Sequence, residues 1–299
     1  MWALLSTKDF YGLLLQFRGV PFRIAAPEAL WEDSDSPKFR CAPCAPAITI
    51  EITSAPQLPT MTGRFLGHRG EKYIWRDGST VTRLTQDVFR SQPHMLCTYD
   101  LNSPGSVRCI AREEDWRWAT RSQFLWPGVS LPQLLLHHDT LTFHASYVAH
   151  QGWGILFTAP SQTGKSTQAS LWEKHRGARV LNGDKAAVRL GERPMVHGMP
   201  FSGTSGICEN VSMPLGCIVV LSQAKENTVR RLGAQEALSL LSPNVFSDQL
   251  ISEEWQKTLL LLLDFMAAVP IYALACTPDV RAVEELEAAM ARDGLQFSH

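Results

Sequence analysis

Residues 154 to 167 read Gly-Ile-Leu-Phe-Thr-Ala-Pro-Ser-Gln-Thr-Gly-Lys-Ser-Thr. The apolar run Ile155 to Phe157 has the character of a buried strand, and the spacing after it is A-x-x-x-x-G-K-S. Gln168, Ala169, Leu171 and Trp172 then repeat at helical spacing. Strand, loop and helix in that order is the setting a phosphate-binding, Walker A type P-loop requires. Backbone N–H groups of Ala159, Ser161, Gln162, Thr163 and Gly164 would form an anion nest. The following helix adds the positive end of its dipole and its unpaired first-turn donors. Lys165 would reach the β- and γ-phosphates of a nucleotide. Ser166 would place its hydroxyl on Mg²⁺, with Thr167 behind it. The plainer alternative is a helix N-terminus that happens to follow Gly-Lys. The flanking strand and helix favour the phosphate reading.

Two residues depart from the usual loop. Ala159 stands in place of the first glycine. Gln162 occupies a position where such loops often carry glycine, so it is expected at positive φ at a cost of about 1 kcal/mol.

A chain of 299 residues has room for two domains, and with 45% apolar and 19% charged residues it can bury a sizeable core. A formal net charge of −1 offers no bulk attraction to nucleic acid or to anionic membranes. The N-terminus lacks the cationic and apolar regions of a signal peptide. The most apolar run, Leu259 to Leu263, is interrupted by Asp264 and is far shorter than a membrane span. The expectation is a soluble, cytoplasmic protein. Seven cysteines are present, and Cys41 and Cys44 form a C-x-x-C. That spacing suits a redox pair or half of a zinc site. No second pair follows at finger spacing and no βαβ unit surrounds it, so free structural thiols are expected.

Short apolar or alternating runs recur before residue 128: Tyr11 to Ile24 with Arg18-Gly19 between its halves, Ala47 to Thr53, Arg64 to Leu66, Lys72 to Trp75 and Val107 to Ala111. Gly, Pro and Asp77-Gly78 punctuate them, and Trp31 to Pro46 reads as a loop. This pattern predicts a β-rich N-terminal domain over residues 1–128. Arg112-Glu113-Glu114-Asp115 reads as a solvated turn. Trp75, Trp116, Trp118 and Trp126 read as core or domain-contact residues. Pro127-Gly128 marks the boundary, and 129–299 forms the second domain.

There, Ser130 is expected to cap a short helix over Leu131 to Leu136. Leu141 to Ala149 is a strand with Phe143, Ala145, Tyr147 and Ala149 on one face and His144, Ser146 and Val148 on the other. His150-Gln151-Gly152 turns this strand directly into the one that feeds the loop, which implies an antiparallel pair inside a mixed sheet. The loop helix, about Ser166 to His175, ends at Gly177. Ala178 to Leu181 is a strand, and Asn182-Gly183-Asp184 follows it. A carboxylate there suits Mg²⁺ or water handling. The same tripeptide is also a good hairpin turn, with Ala186 to Leu190 returning. Met199 to Asn210 is small, polar and glycine-rich, and reads either as a plain loop or as a segment that meets an acceptor. Leu215 to Leu221 is a buried strand. Arg230 and Arg231 read as surface residues. Ala234 to Leu241 and Ser247 to Ala268 are helices, Pro270 to Ala275 a strand, and Pro278 opens a last helix.

With the hairpin, the loop and Asn182-Gly183-Asp184 assembled, the chain resembles the HPr kinase/phosphorylase group of P-loop proteins, whose fold is shared with phosphoenolpyruvate carboxykinases. The resemblance covers roughly residues 129 to 290 in layout and is specific across 144 to 184. It implies an α/β fold with a P-loop mixed sheet. His144 falls at the family histidine's distance from Lys165, and Asp184 where the family's Asp-Asp pair sits. The resemblance implies that Asp184 takes the acceptor serine's proton or holds Mg²⁺, and that His144 lies near the transferring phosphate. Only one Asp is present and the family's Met-Glu-Ile-Arg-Gly signature is absent; Glu209 lies at a suitable distance to stand in for its glutamate. In these departures the chain looks more like the divergent relatives of HPr kinase, some of which accompany peptide-modifying systems and phosphorylate a serine of a precursor peptide. The resemblance also suggests assemblies, with a homo-oligomer as the expectation.

The reading is therefore an ATP- and Mg²⁺-dependent phosphotransferase acting on a serine of a peptide or small protein. Lys165, Asp184 and His144 are its catalytic residues, and Ser166, Asp184 and Glu209 its metal residues. Two rivals remain: a nucleotide-binding module that recruits a partner without turnover, and a small-molecule kinase.

Overall fold

The computed structural model describes residues 11–17, 20–26, 35–42, 44–87, 92–119, 121–201 and 203–295. Arg18-Gly19, Trp31, Pro43 and Ser202 lie outside the described residues, as does the side chain of Trp118. The chain forms two compact units, Met1–Leu134 and Leu135–His299.

The first unit is built on one eight-stranded mixed sheet. In chain order its strands are β1 (Tyr11–Phe17), β2 (Val20–Ala26), β3 (Ile48–Ala55), β4 (Arg64–Arg69), β5 (Lys72–Asp77), β6 (Thr80–Asp87), β7 (Gln92–Asp100) and β8 (Ser103–Arg112). Their spatial order is β1-β2-β3-β8-β7-β6-β5-β4, with β3 parallel to β2 and β8 and the other pairs antiparallel. Ile48, Ile50 and Ile52 alternate into the core along β3, the period-2 pattern of a half-buried strand. Strands β6 and β7 have no clear sequence signal. The interior of β6 holds Arg83, fully buried, with Nη1 on the Tyr99 hydroxyl and its guanidinium over the Tyr99 ring. A charged residue at a core position breaks the apolar alternation that marks a strand. Three short helices close this part of the chain: α1 (Trp116–Ala119), α2 (Ser122–Gly128) and α3 (Leu131–Leu136). Arg112 to Asp115 is only partly solvated, because Asp115 is buried and accepts a 2.7 Å bond from Arg112 Nε. Ser130 does not sit as an ordinary N-cap: its φ is +56°, and its hydroxyl accepts from Lys72 Nζ at 3.5 Å.

The second unit is also built on an eight-stranded mixed sheet. Its strands are β9 (Thr140–His150), β10 (Trp153–Thr158), β11 (Arg179–Asn182), β12 (Lys185–Arg189), β13 (Met195–Gly198), β14 (Ser212–Gln223), β15 (Thr228–Arg231) and β16 (Ile271–Cys276). The hairpin β9–β10 forms as expected, its turn set by Gln151 and Gly152 at φ +46° and +83°. Strand β10 then lies parallel to β14, which is parallel to β16. The early part of β9 pairs with β12, β12 with β13, and β13 with the start of β14. Helices α4 (Lys165–Arg176) and α7 (Val280–Arg292) cover one face, burying Ala169, Trp172, Val283, Leu286 and Met290 against Val148, Ile155 and Phe157. Helices α5 (Ala234–Leu241) and α6 (Ser252–Ala268) cover the other, burying Leu241, Leu262 and Phe265 against Phe143, Ala145 and Tyr147. The two faces of β9 thus serve two cores, as their alternation requires.

A boundary and a pairing differ from expectation. Helix α6 begins at Ser252, five residues late, because Asp248 Oδ1 takes the Leu250 N–H at 2.9 Å in a local turn that competes with helix. Strands β11 and β12 do not form a hairpin with each other. Both pair antiparallel with β9, β11 along Tyr147 to Ala149 and β12 along Thr140 to His144. Among the described residues no helix is long and apolar enough to cross a membrane.

Candidate active site

Strand β10 ends at Thr158, whose Oγ1 donates to the His144 carbonyl at 2.9 Å and ties the loop's entrance to the neighbouring strand. Gln162 takes φ +64° and Gly164 φ +113° before α4 begins. The strained position predicted for Gln162 is therefore present. Lys165, at the first turn of α4, is 8% exposed; its Nζ donates to the carbonyls of Ala159 at 2.9 Å and Pro160 at 3.2 Å. Burial pulls the lysine's pKa down, and the charge of Asp184 pushes it back up. Ser161, Gln162, Ser166 and Thr167 are exposed along the loop and first helical turn, with Thr163 and Gly164 partly covered. Beneath them Gln168 is buried, and its Nε2 donates to Cys276 Sγ at 3.2 Å, which pins the start of α4 to the end of β16.

Between β11 and β12 the chain breaks its pairing with β9 at Gly183 and Asp184. Asn182, fully buried, sets this break with four hydrogen bonds. Its Oδ1 accepts the N–H groups of Asp184 and Lys185, both at 2.9 Å, and its Nδ2 donates to the carbonyls of Met199 at 3.1 Å and Phe201 at 2.9 Å. Ser146 Oγ donates to the Gly183 carbonyl and Ala145 N–H to the Asp184 carbonyl, so the break stays docked on β9. The carboxylate of Asp184 faces His144, with Oδ1 3.5 Å from Nδ1, and its Oδ2 accepts from Lys185 Nζ. Burial, then the charge of Lys165, hold the His144 pKa below the usual histidine value, against the pull of Asp184.

Lys185 is gripped as well as paired. Its Nζ sits 3.6 Å from the ring centroid of Phe201 and 4.9 Å from that of Phe246. Phe246 also meets the His144 ring edge-on at 6.1 Å. The glycine-rich segment Met199 to Asn210 folds onto the same place. Gly203 has φ +56°, and a Cβ there would lie 2.6 Å from Asp184 Cβ; one on Gly183 would collide with Ser205. Only glycine leaves room at these two positions for the side chains of Asp184 and Ser205.

The expected residues Ala159 to Thr167 therefore form one continuous strand-loop-helix unit. His144, Lys165 and Asp184 sense one another electrostatically. Glu209 is not part of this group: its carboxylate is 3.6 Å from Arg179 Nη2. Among the described residues no three His, Cys, Asp or Glu side chains gather to hold a metal. The donors that remain, the carboxylate of Asp184 and the exposed hydroxyl of Ser166, suit a hard cation that keeps its waters and takes phosphate oxygens. Arg230 and Arg231 pair with Glu236 and Asp293, away from any such role. Cys41 and Cys44 are free thiols, as are the other five cysteines. Sequence reasoning missed Lys185, Phe201 and Phe246. The first adjoins Asp184 in the chain; the two phenylalanines carry no local signal and are brought in by the fold.

No family model matches this chain, and no curated protein does. Among solved structures, the HPr(Ser) kinase/phosphatase from Coxiella burnetii is similar over 51% of this chain and 89% of its own length, at 12% identity and a TM-score of 0.29.

Proposed function

We propose that this chain is an ATP- and Mg²⁺-dependent phosphotransferase acting on a serine hydroxyl of a peptide or small protein. The observation that carries the proposal is the placement of the Asp184 and His144 pair beside a glycine-lysine-serine loop at a helix N-terminus. Phosphoryl transfer asks little covalent chemistry of a protein; it needs in-line positioning and neutralisation of charge. The loop N–H groups from Ala159 to Thr167 would cradle the phosphates. Lys165 would exchange the carbonyls of Ala159 and Pro160 for phosphate oxygens. Ser166 and Asp184 would hold Mg²⁺, which when bound supplies charge neutralisation across the β- and γ-phosphates. In the transfer, the serine Oγ–Pγ bond forms as the bond from Pγ to the bridging oxygen breaks, and ADP leaves with that electron pair. The serine proton passes to His144, whose Nδ1 lies 3.5 Å from Asp184 Oδ1, and from there to water. Burial holds the His144 pKa down, which favours the neutral imidazole able to accept that proton.

The test is mass spectrometry of serine-containing peptides encoded beside the gene, after incubation with the protein and ATP·Mg²⁺. A gain of one phosphate on a serine, lost with Lys165→Ala and with Asp184→Asn, is expected. ATP binding without any transfer would replace the proposal with a non-catalytic nucleotide-binding module. Transfer only to a small molecule would make the chain a small-molecule kinase.

A further inference from the structure

Asp184 meets a cation that belongs to the chain itself. The ammonium of Lys185 lies against Asp184 Oδ2, and the same Nζ sits over the rings of Phe201 and Phe246. Asn182 holds the backbone N–H groups of both residues from one oxygen, so the lysine and the carboxylate cannot move apart by a simple backbone shift. The side chain of Lys185 is only 15% exposed, so it has little access to an alternative place in solvent. Two rings and one carboxylate thus satisfy an ammonium that solvent cannot.

From this we propose that Lys185 is a built-in counter-ion that competes with a divalent cation for Asp184, and so makes metal binding conditional on a bound nucleotide. The inference rests on Asp184 being the metal carboxylate of the proposed transferase. Without nucleotide, a metal at Asp184 has one protein carboxylate, and that carboxylate is already neutralised. A nucleotide changes the balance by bringing its own phosphate oxygens to the metal and by giving the lysine a new anion to face. Lys185 is a positioning residue in this scheme, acting through Asp184.

The measurement is Mn²⁺ binding to the full chain without nucleotide, followed by the electron paramagnetic resonance signal of free Mn²⁺. Lys185→Met keeps an unbranched side chain beside the two rings and removes the charge. It is expected to bind Mn²⁺ about tenfold more tightly than the wild type, and Lys185→Arg to bind no more tightly than the wild type. Asp184→Asn added to Lys185→Met is expected to abolish the gain. Lys185→Gln serves in place of Lys185→Met if circular dichroism shows that the methionine variant has not folded. Equal Mn²⁺ affinity in the wild type and the charge-free variant would overturn the proposal, as would a gain that survives Asp184→Asn. Because this readout involves no phosphate transfer, failure of the transferase reading shows separately, as absent transfer by a protein whose Mn²⁺ behaviour is as described.

Discussion

The substitution Gly203→Ala tests whether the glycine-rich segment shapes the site. A Cβ at this position would sit 2.6 Å from Asp184 Cβ, 2.8 Å from Cγ and 3.2 Å from Oδ2. Asp184 cannot easily yield, since its N–H is held by Asn182, its carbonyl by Ala145, and its carboxylate by Lys185. One of the two segments must therefore shift by about 1 Å, a displacement that costs on the order of 100-fold in rate when it misplaces a reacting group. Alanine at φ +56° adds about 1–2 kcal/mol of backbone strain. Gly206 provides the control: its φ is +69°, yet a Cβ there meets nothing within 4 Å. Gly206→Ala should therefore lose a similar amount of stability and keep its rate. Thermal unfolding and phosphate transfer, measured on both variants, separate strain from collision. Equal rates in the two variants would refute the claim that Gly203 keeps Asp184 in place.

Three further outcomes are expected. Gln162→Gly should raise stability by up to about 1 kcal/mol, because glycine tolerates the φ of +64° that glutamine adopts with strain; chemical denaturation checks the sign. Asn182→Ala should destabilise by about 3 kcal/mol, since it strands the buried Met199 carbonyl and part-buried backbone groups at Asp184, Lys185 and Phe201, and it should weaken nucleotide-supported metal binding in the same protein. Asp279 caps α7 by accepting from Arg281 N at 3.0 Å, and bonds from the Arg281 and Thr277 side chains hold its pKa down at about 2. A depressed carboxylate stabilises the fold fully above its unfolded pKa and loses that contribution as pH falls towards the folded value. Asp279→Ala should therefore lower the Tm at pH 7, and the gap to wild type should narrow as the pH is taken below about 4.

How much of this was legible in the sequence depended on how local each cause was. The β9–β10 hairpin, the loop and α4 follow from neighbouring residues, such as Gly152 at the turn and Gly177 at the end of the helix, so their pattern and their structure agree. Asn182-Gly183-Asp184 shows the limit of that logic. As a tripeptide it has the composition of a hairpin turn. In the fold it is an interruption between two strands laid along the same partner, because β9 is eleven residues long and offers edges to both. That arrangement is a property of β9, which is distant in sequence. The aromatic grip on Lys185 was invisible for the same reason, since Phe201 and Phe246 reach it from two other segments. Glu209 illustrates a different case. A suitable chain distance suggested a metal residue, and the fold gives its carboxylate to Arg179. In the N-terminal unit the strands with apolar alternation were readable, whereas β6, with Arg83 at its core, was not.

Every step of the proposed chemistry requires that the loop from Ala159 to Thr167 bind a nucleotide's phosphates through Lys165. Titration calorimetry of ATP·Mg²⁺ into the wild type and into Lys165→Ala measures this directly. Saturable binding by the wild type, weakened at least about tenfold in the variant, is expected; an ammonium-to-phosphate contact is worth at least the corresponding ~1.4 kcal/mol. No binding to the wild type, or equal binding to both proteins, would contradict the assignment of this loop as a phosphate site.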